Sequence, residues 1–107
     1  MDSSIPAETF HDLVRRIVEV AAPEKIILFG SAAAGNRGPD SDLDILVVKR
    51  GKFHRGHVAE DIYMNLIGFG EPVDVIVATP EDLERYAGDD SVIIGPALRE
   101  GRVLYAG

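Results

Sequence analysis

The sequence predicts a small α/β domain, of the mixed α+β kind, in which helices flank one small sheet. Its 107 residues are the length of one ordinary domain, so we expect a single domain over residues 1–107. Apolar residues make up 46% of the chain, which is enough to form a core. Segments with helical spacing of apolar residues alternate with short apolar runs typical of strands. A sheet of this size can be mixed rather than purely parallel.

The first helix is predicted over residues 6–21. Its apolar stripe consists of Phe10, Leu13, Val14, Ile17 and Val20. Pro6 suits a first helical turn, and Pro23 cannot continue a helix. The apolar run KIILF at residues 25–29 then predicts a short buried strand that ends at Gly30.

A one-turn helix, a strand and a longer helix are expected next. Three alanines at residues 32–34 predict the single turn, which Gly35 ends. The second strand is predicted over residues 43–48, and the longer helix runs from residue 54 to about residue 67. The buried stripe of that helix is predicted to contain Val58, Ala59, Ile62, Tyr63, Leu66 and Ile67, with Tyr63 in the core or facing a partner.

The third strand, PVDVIVA, covers residues 72–78 and leads into a helix start signal. Thr79 is a good N-cap, Pro80 suits the first helical position, and Asp82 is the acid at the third. We expect this helix to be short and to end near Gly88.

The remainder of the chain predicts one more helix and one more strand. A helix is expected within residues 91–100, although Gly95 and Pro96 interrupt its pattern. Residues 102–105 are expected to form an edge strand.

The composition excludes several classes of function. The net charge of −7 makes general binding to duplex nucleic acid unlikely, because basic side chains must displace the counterions of the phosphates. Cysteine is absent, which excludes disulfides, thiolate nucleophiles and zinc-thiolate sites. The N-terminus has no apolar signal core, and no apolar run reaches the ~20 residues that span a bilayer. We expect a cytoplasmic protein without a membrane segment.

Two aspartates, Asp42 and Asp44, lie two positions apart where the second predicted strand begins. They share one face of that strand, and Leu43, Ile45 and Val47 take the other, toward the core. Same-face residues lie ~6.6 Å apart, and side chains can lean across that gap to bracket two metal ions. Oxygen ligands favour Mg²⁺, with Mn²⁺ possible. An Asp-x-Asp pair alone is more often structural, so the hypothesis depends on further residues.

Those residues are a third carboxylate and a turn suited to phosphate. Asp74 lies near the start of the third strand and can join the pair if the two strands are neighbours. Gly30 and Ser31 follow the first strand, where backbone N–H groups and a hydroxyl can hold a phosphate. Together these features indicate nucleotidyl transfer with two metal ions, in which Asp74 ligates one ion and accepts the proton of the attacking hydroxyl.

This set of residues resembles the minimal nucleotidyltransferases (MNT) of the DNA polymerase beta superfamily. Their pattern is Gly-Ser, a short glycine-bearing turn, Asp-x-Asp and a later carboxylate. It is matched in order by Gly30, Ser31, Gly35, Asp42, Asp44 and Asp74. Ser41 and the closing GRVLY segment also fit, so the resemblance covers nearly the whole chain.

The resemblance implies a palm-like fold, two Mg²⁺ ions and transfer of a nucleoside monophosphate, usually AMP from ATP. ATP or another nucleoside triphosphate would be the substrate. Many members are paired with a small helical partner of the HEPN type in toxin–antitoxin modules, where the nucleotidyltransferase is the antitoxin and modifies its partner. Larger members append a helical domain. For this chain we therefore expect another chain, a HEPN-type partner or a second copy, to complete the site.

The sequence departs from the family pattern in the turn. Related proteins usually carry an arginine just before the closing glycine, and often another two residues earlier, where this chain has Ala34 and Ala32. Such an arginine would bind the triphosphate through charge-assisted hydrogen bonds. Arg37 is close enough in sequence to replace it, and we predict that it binds nucleotide with Gly30 and Ser31.

Two other functions remain open from the sequence. The missing arginines fit a catalytically weak or inactive module that neutralises a partner by binding alone. Polymerase-like work on nucleic acid is a third class, which the negative charge and the lack of a basic groove argue against.

Overall fold

The protein folds as a four-stranded sheet with helices on both faces. The structure is a computed structural model that describes residues 5–35 and 41–107. Its elements are α1 (Ala7–Ala21), β1 (Lys25–Phe29), α2 (Ser31–Ala34), β2 (Leu43–Val48), α3 (Arg55–Asn65), β3 (Val73–Ala78), α4 (Pro80–Tyr86), α5 (Ile94–Glu100) and β4 (Arg102–Ala106). Over these ranges no helix combines the length and apolar character that crossing a membrane requires.

The sheet is mixed, and its strand order is β3-β2-β1-β4. Strand β1 pairs antiparallel with both β2 and β4, whereas β2 and β3 pair parallel. The mixed sheet flanked by helices confirms the predicted fold class. The parallel pairing of β2 with β3 makes neighbours of the two strands that carry the aspartates.

Two hydrophobic clusters lie on opposite faces of the sheet. Helices α1 and α3 cover the first cluster, and α4 and α5 cover the second. In β2, Leu43, Ile45 and Val47 face the first cluster, as predicted. Leu46 and Val48 face the second. Strand β2 is therefore buried on both faces, and residue 44 is the position within it that is only partly buried.

Two predicted apolar stripes are wrong in part. In α3, the side chain of Tyr63 is 42% exposed, and Ile67, at 71%, lies beyond the end of the helix at Asn65. In α1, Val20 is 39% exposed. The α3 stripe is narrower than predicted because the helix ends two residues early and Tyr63 reaches past the sheet instead of into the core.

Helix α5 forms in spite of Gly95 and Pro96, which the sequence pattern treats as interruptions. Both residues lie in its first turn, where the missing N–H of proline removes no helical hydrogen bond. A Cβ atom at Gly95 would come within 2.5 Å of the backbone oxygen of Asp89. The glycine is thus required by a close backbone approach.

Helix α4 begins with the predicted cap. The Thr79 hydroxyl accepts a hydrogen bond from the Asp82 N–H at 3.2 Å, and Asp82 Oδ2 accepts one from the Thr79 N–H at 3.0 Å. Asp82 Oδ2 also lies 2.6 Å from Nη1 of Arg55 at the start of α3. One carboxyl group therefore caps α4 and ties it to α3.

Side chains of α3 cover the outer edge of β3. In a parallel ladder, alternate residues point their backbone groups toward the neighbouring strand. The carbonyls of residues 72 and 78 accept hydrogen bonds from the N–H groups of Leu43 and Lys49, on the β2 side. The backbone N–H and C=O groups of Val75 and Val77 therefore point to the outer edge, while their side chains stay in the first hydrophobic cluster. The Tyr63 hydroxyl accepts from the Val75 N–H at 2.8 Å, and Arg55 Nη1 donates to the Val77 carbonyl at 3.3 Å. These contacts protect an edge that could otherwise pair with another chain.

Candidate functional site

The Gly-Ser turn lies directly against the first carboxylate strand. Gly30 has φ 74° and ψ −156°, a conformation that L-residues rarely adopt, and it precedes α2. A Cβ atom at this position would overlap the carboxyl group of Asp44. Glycine is therefore required at residue 30 both by the backbone and by the closeness of the Asp44 side chain, and the turn lies next to this carboxylate.

Asp44 and Asp74 are directly opposite each other in the β2–β3 ladder. Neighbouring strands lie ~4.8 Å apart, so their side chains are adjacent on one face of the sheet. Asp42 lies just before β2 and is exposed, as is Asp74, while Asp44 is partly buried. Helices α4 and α5 pack on this same face of the sheet, but at its other end. The carboxylates therefore lie at the end that these helices leave uncovered.

The charges of the three carboxylates act on one another at Asp44. Burial raises the pKa of the Asp44 carboxyl, and the negative charges of Asp74 and then Asp42 raise it further. Among the residues that the structure describes, no basic side chain offsets this effect at Asp44. A cation placed between these groups would relieve the repulsion, which is the electrostatic condition for a metal site.

The carboxylate groups of the three aspartates suit a hard cation, but they are not close enough together to form a complete metal site. The donor atoms are all carboxylate oxygens, which suit Mg²⁺ or Mn²⁺. Within residues 5–35 and 41–107, no three His, Asp or Glu side chains are close enough together to hold a metal ion. Ligation by Asp42, Asp44 and Asp74 therefore stays a prediction, and it requires movement of the exposed carboxyl groups toward Asp44.

The structure describes only some of the residues that are predicted to bind nucleotide. Ser31 is the first residue of α2, and Gly35 ends that helix with φ 80°, as its position in the sequence predicts. Ala32 packs against the first hydrophobic cluster, whereas Ala34 is exposed. Arg37 lies outside the described residues, so its predicted role in binding nucleotide stays a prediction.

Tyr63 is the residue at this site that the sequence does not reveal. Its hydroxyl accepts from the Val75 N–H and lies 3.4 Å from Oδ1 of Asp74, to which it donates. The sequence pattern places Tyr63 in the core or facing a partner. The one available signal is a tyrosine, rather than a phenylalanine, on the helix that precedes the Asp74 strand.

The chain matches the family model described as nucleotidyltransferase domain over residues 8–101. That range includes β1, the Gly-Ser turn and both carboxylate strands. The chain has no significant match among curated proteins.

Solved structures share the fold. A chain from a crystal structure of a toxin–antitoxin complex with AMP-PNP superposes with a TM-score of 0.58 at 20% identity, over 92% of this chain and 73% of that one. A chain from the complex of a tri-AMPylated Shewanella oneidensis HEPN toxin with an MNT antitoxin gives a TM-score of 0.54 at 16% identity, over 94% and 71%. At these identities the likeness is one of fold.

Proposed function

The chain belongs to the nucleotidyltransferase domain family, and from that premise we propose that it transfers AMP from ATP to a partner protein. The observation that carries the proposal is the placement of Asp44. It lies opposite Asp74 in the sheet and against the Gly30 turn, so Asp44 is adjacent both to a second carboxylate and to the turn that we propose binds phosphate. This is where the reacting phosphate and its counterions would have to lie.

Each of these residues has a role in the proposed reaction. Asp42, Asp44 and Asp74 would hold two Mg²⁺ ions, or Mn²⁺, through their oxygens. When bound, the ions would neutralise charge on the triphosphate and on the departing pyrophosphate. Gly30 and Ser31 would donate hydrogen bonds to phosphate oxygens, and Asp74 would accept the proton of the attacking hydroxyl.

The proposed acceptor is a small helical protein of the HEPN type. The support comes from a structure with the same fold, in which a HEPN toxin carrying three AMP groups is in complex with an MNT antitoxin. We further infer that this partner, or a second copy of the chain, completes the site. Transfer of AMP to a small molecule at full rate by the monomer would contradict this inference.

The test is transfer of label from ATP labelled at the α-phosphate. The chain is incubated with Mg²⁺, labelled ATP and a HEPN-type protein, and labelled protein is counted. We expect labelling that Asp44→Asn abolishes and that Asp61→Asn, which removes an equal charge from an exposed position of α3, leaves intact. Undiminished labelling by the Asp42→Asn, Asp44→Asn double variant would contradict the proposal.

A second candidate function is an antitoxin-like module that acts by binding alone. It is favoured by the alanines at residues 32 and 34, where related proteins usually carry arginine. This function predicts partner binding, measured by calorimetry without ATP, that Asp44→Asn does not weaken. A strict requirement for ATP and for the carboxylates would contradict it.

A further inference from the structure

We propose that Tyr63 is a positioning residue that orients the carboxyl group of Asp74 for cation binding. The inference rests on the proposed function, because it concerns one of the carboxylates assigned to the reaction. Tyr63 is on α3, which covers the opposite face of the sheet, and its side chain extends past the edge of β3 to reach Asp74. No other described helix sends a hydrogen-bonding side chain to this carboxylate.

The hydroxyl group is held by the backbone of the strand that it serves. It accepts from the Val75 N–H at 2.8 Å, a normal hydrogen-bond length. With its lone pair engaged there, its proton is directed to Oδ1 of the preceding residue, Asp74, at 3.4 Å. This second contact is longer than the usual 2.7–2.8 Å. It is therefore a weak restraint, which orients the carboxyl group without preventing a small movement.

A restraint is needed here because Asp74 is exposed and faces a like charge. Asp44 lies opposite it in the ladder, and the two carboxylates repel. An exposed carboxylate on an edge strand would otherwise sample several rotamers. The contact with Tyr63 engages Oδ1, and in this proposal Oδ2 stays available to a cation that Asp44 also binds. Groups that orient metal ligands in this way commonly affect metal affinity by about tenfold or more.

Arg55 provides a matched control on the same helix. It also bonds outward-facing backbone of β3, at the Val77 carbonyl, but it pairs with Asp82 and has no contact with Asp74. A variant Arg55→Met therefore weakens the attachment of α3 to β3 and removes the ion pair with Asp82, but it removes no contact of Asp74. Tyr63→Phe removes one hydroxyl and retains the ring.

The primary measurement is binding of Mn²⁺, followed through the electron paramagnetic resonance signal of the unbound ion, with thermal unfolding of each variant recorded in parallel. We expect Tyr63→Phe to weaken Mn²⁺ binding about tenfold. Arg55→Met should bind Mn²⁺ as the unaltered chain does, although its melting temperature falls. Equal Mn²⁺ affinity in Tyr63→Phe and the unaltered chain, or no Mn²⁺ binding by the unaltered chain, would overturn the proposal.

A double variant separates orientation of Asp74 from general loosening. If Tyr63 acts through Asp74, adding Tyr63→Phe to Asp74→Asn should cause no further loss of Mn²⁺ affinity. An equal further loss in the Asp74→Asn background would overturn the proposal.

The two proposals fail in different ways. Normal Mn²⁺ affinity in Tyr63→Phe, together with intact AMP transfer by the unaltered chain, would overturn the role of Tyr63 and leave the proposed function standing. Weakened Mn²⁺ binding in Tyr63→Phe, with no transfer by the unaltered chain, would support the role of Tyr63 and overturn the function. If transfer occurs, Tyr63→Phe should lower kcat with little change in KM for ATP, and higher Mg²⁺ should partly restore the rate.

Discussion

The Asp44 side chain opposes the stability of the fold in which it lies. It is partly buried, next to two like charges, and these conditions raise its pKa. Like charges directly opposite each other on neighbouring strands destabilise a sheet. The chain retains this arrangement at the end of the sheet where the Gly30 turn is located. Cation binding by Asp44 would explain why a destabilising charge lies at this position.

Asp44→Asn is therefore expected to stabilise the chain at neutral pH when divalent cations are removed with EDTA. Removing the charge should raise the free energy of unfolding by about 0.5–1 kcal/mol and the melting temperature by about 2–6 °C. Thermal unfolding followed by circular dichroism measures the change. Asp61→Asn is the control, because its exposed charge should change stability by less than about 0.5 kcal/mol.

The gain from Asp44→Asn should depend on pH in a defined direction. The pKa of Asp44 in the folded chain lies above its unfolded value, so its favourable contribution is present when it is protonated and is lost as pH rises through the folded pKa. The gain should thus shrink as the pH is lowered. Mg²⁺ should raise the melting temperature of the unaltered chain and have little effect on the variant. A variant that is less stable than the unaltered chain in EDTA would contradict this account.

Ala34 is the second residue at which a single change is informative. It is exposed at the end of α2, so a longer side chain can be accommodated, whereas Ala32 packs against the first hydrophobic cluster. Ala34→Arg should strengthen ATP binding about tenfold, because guanidinium–phosphate hydrogen bonds are charge-assisted. Titration calorimetry with Mg²⁺ and ATP measures the affinity. Ala34→Gln, which has no charge, should bind as the unaltered chain does, and equal affinity in the arginine variant would contradict the prediction.

At the scale of elements, Asp82 joins the start of α4 to the start of α3. Its pKa is lowered, first by the hydrogen bond from Arg55 and also by the bonds from Thr79, while burial acts in the opposite direction. A carboxylate in this position stabilises the first turn of α4 and its attachment to α3 together.

Asp82→Asn should lower the free energy of unfolding by about 1 kcal/mol at neutral pH, a value that allows for the exposure of Arg55 to solvent. The lowered pKa means that the contribution of Asp82 is present above its unfolded pKa and is lost as pH falls through the folded pKa. Urea unfolding at neutral and at strongly acidic pH should show a difference from the unaltered chain that disappears in acid. Glu81→Gln is the control in the same turn, and a loss there as large as in Asp82→Asn would contradict the prediction.

Elements whose causes are local could be predicted from the sequence. The cap of α4 was predictable because Thr79 and Asp82 satisfy each other's hydrogen bonds three residues apart, and Pro80 suits the first helical position between them. Strands β1 and β2 were predictable because a buried strand requires a short apolar run. A helix within residues 91–100 was also predicted, but its start was not. Gly95 and Pro96 interrupt the helical pattern, and the pattern does not show that both lie in the first turn or that Gly95 packs against the Asp89 backbone.

The same division applies to the candidate site. Alternation along a strand placed Asp42 and Asp44 on one face without knowledge of the fold. The pairing of Asp44 with Asp74 depends on the parallel register of β2 and β3. The sequence alone does not show that these two strands are neighbours. The contact of Tyr63 with Asp74 could not be predicted, because it depends on where α3 crosses the edge of the sheet.

At the scale of the molecule, the charge of −7 restricts the choice of partners. Phosphate-rich duplexes should be repelled, because too few basic groups are available to displace their counterions. We expect no measurable binding to a short DNA duplex at physiological salt by fluorescence anisotropy. Tight binding that weakens steeply with added salt would contradict this prediction and revive a polymerase-like function.

The two strands that carry the aspartates should differ in how often they open. Strand β2 lies inside the sheet with nearly all of its side chains buried, whereas β3 forms the edge and depends on α3 for two of its outward hydrogen bonds. Amide protons of β2 that point toward β1 should therefore exchange with solvent only through global unfolding, whereas those in the β2–β3 ladder should exchange through smaller local openings of β3. The strand that carries Asp44 is thus held inside the sheet, whereas the strand that carries Asp74 can separate from it transiently. A ligand that bridges Asp44 and Asp74 would slow exchange in the β2–β3 ladder far more than in the β1–β2 ladder.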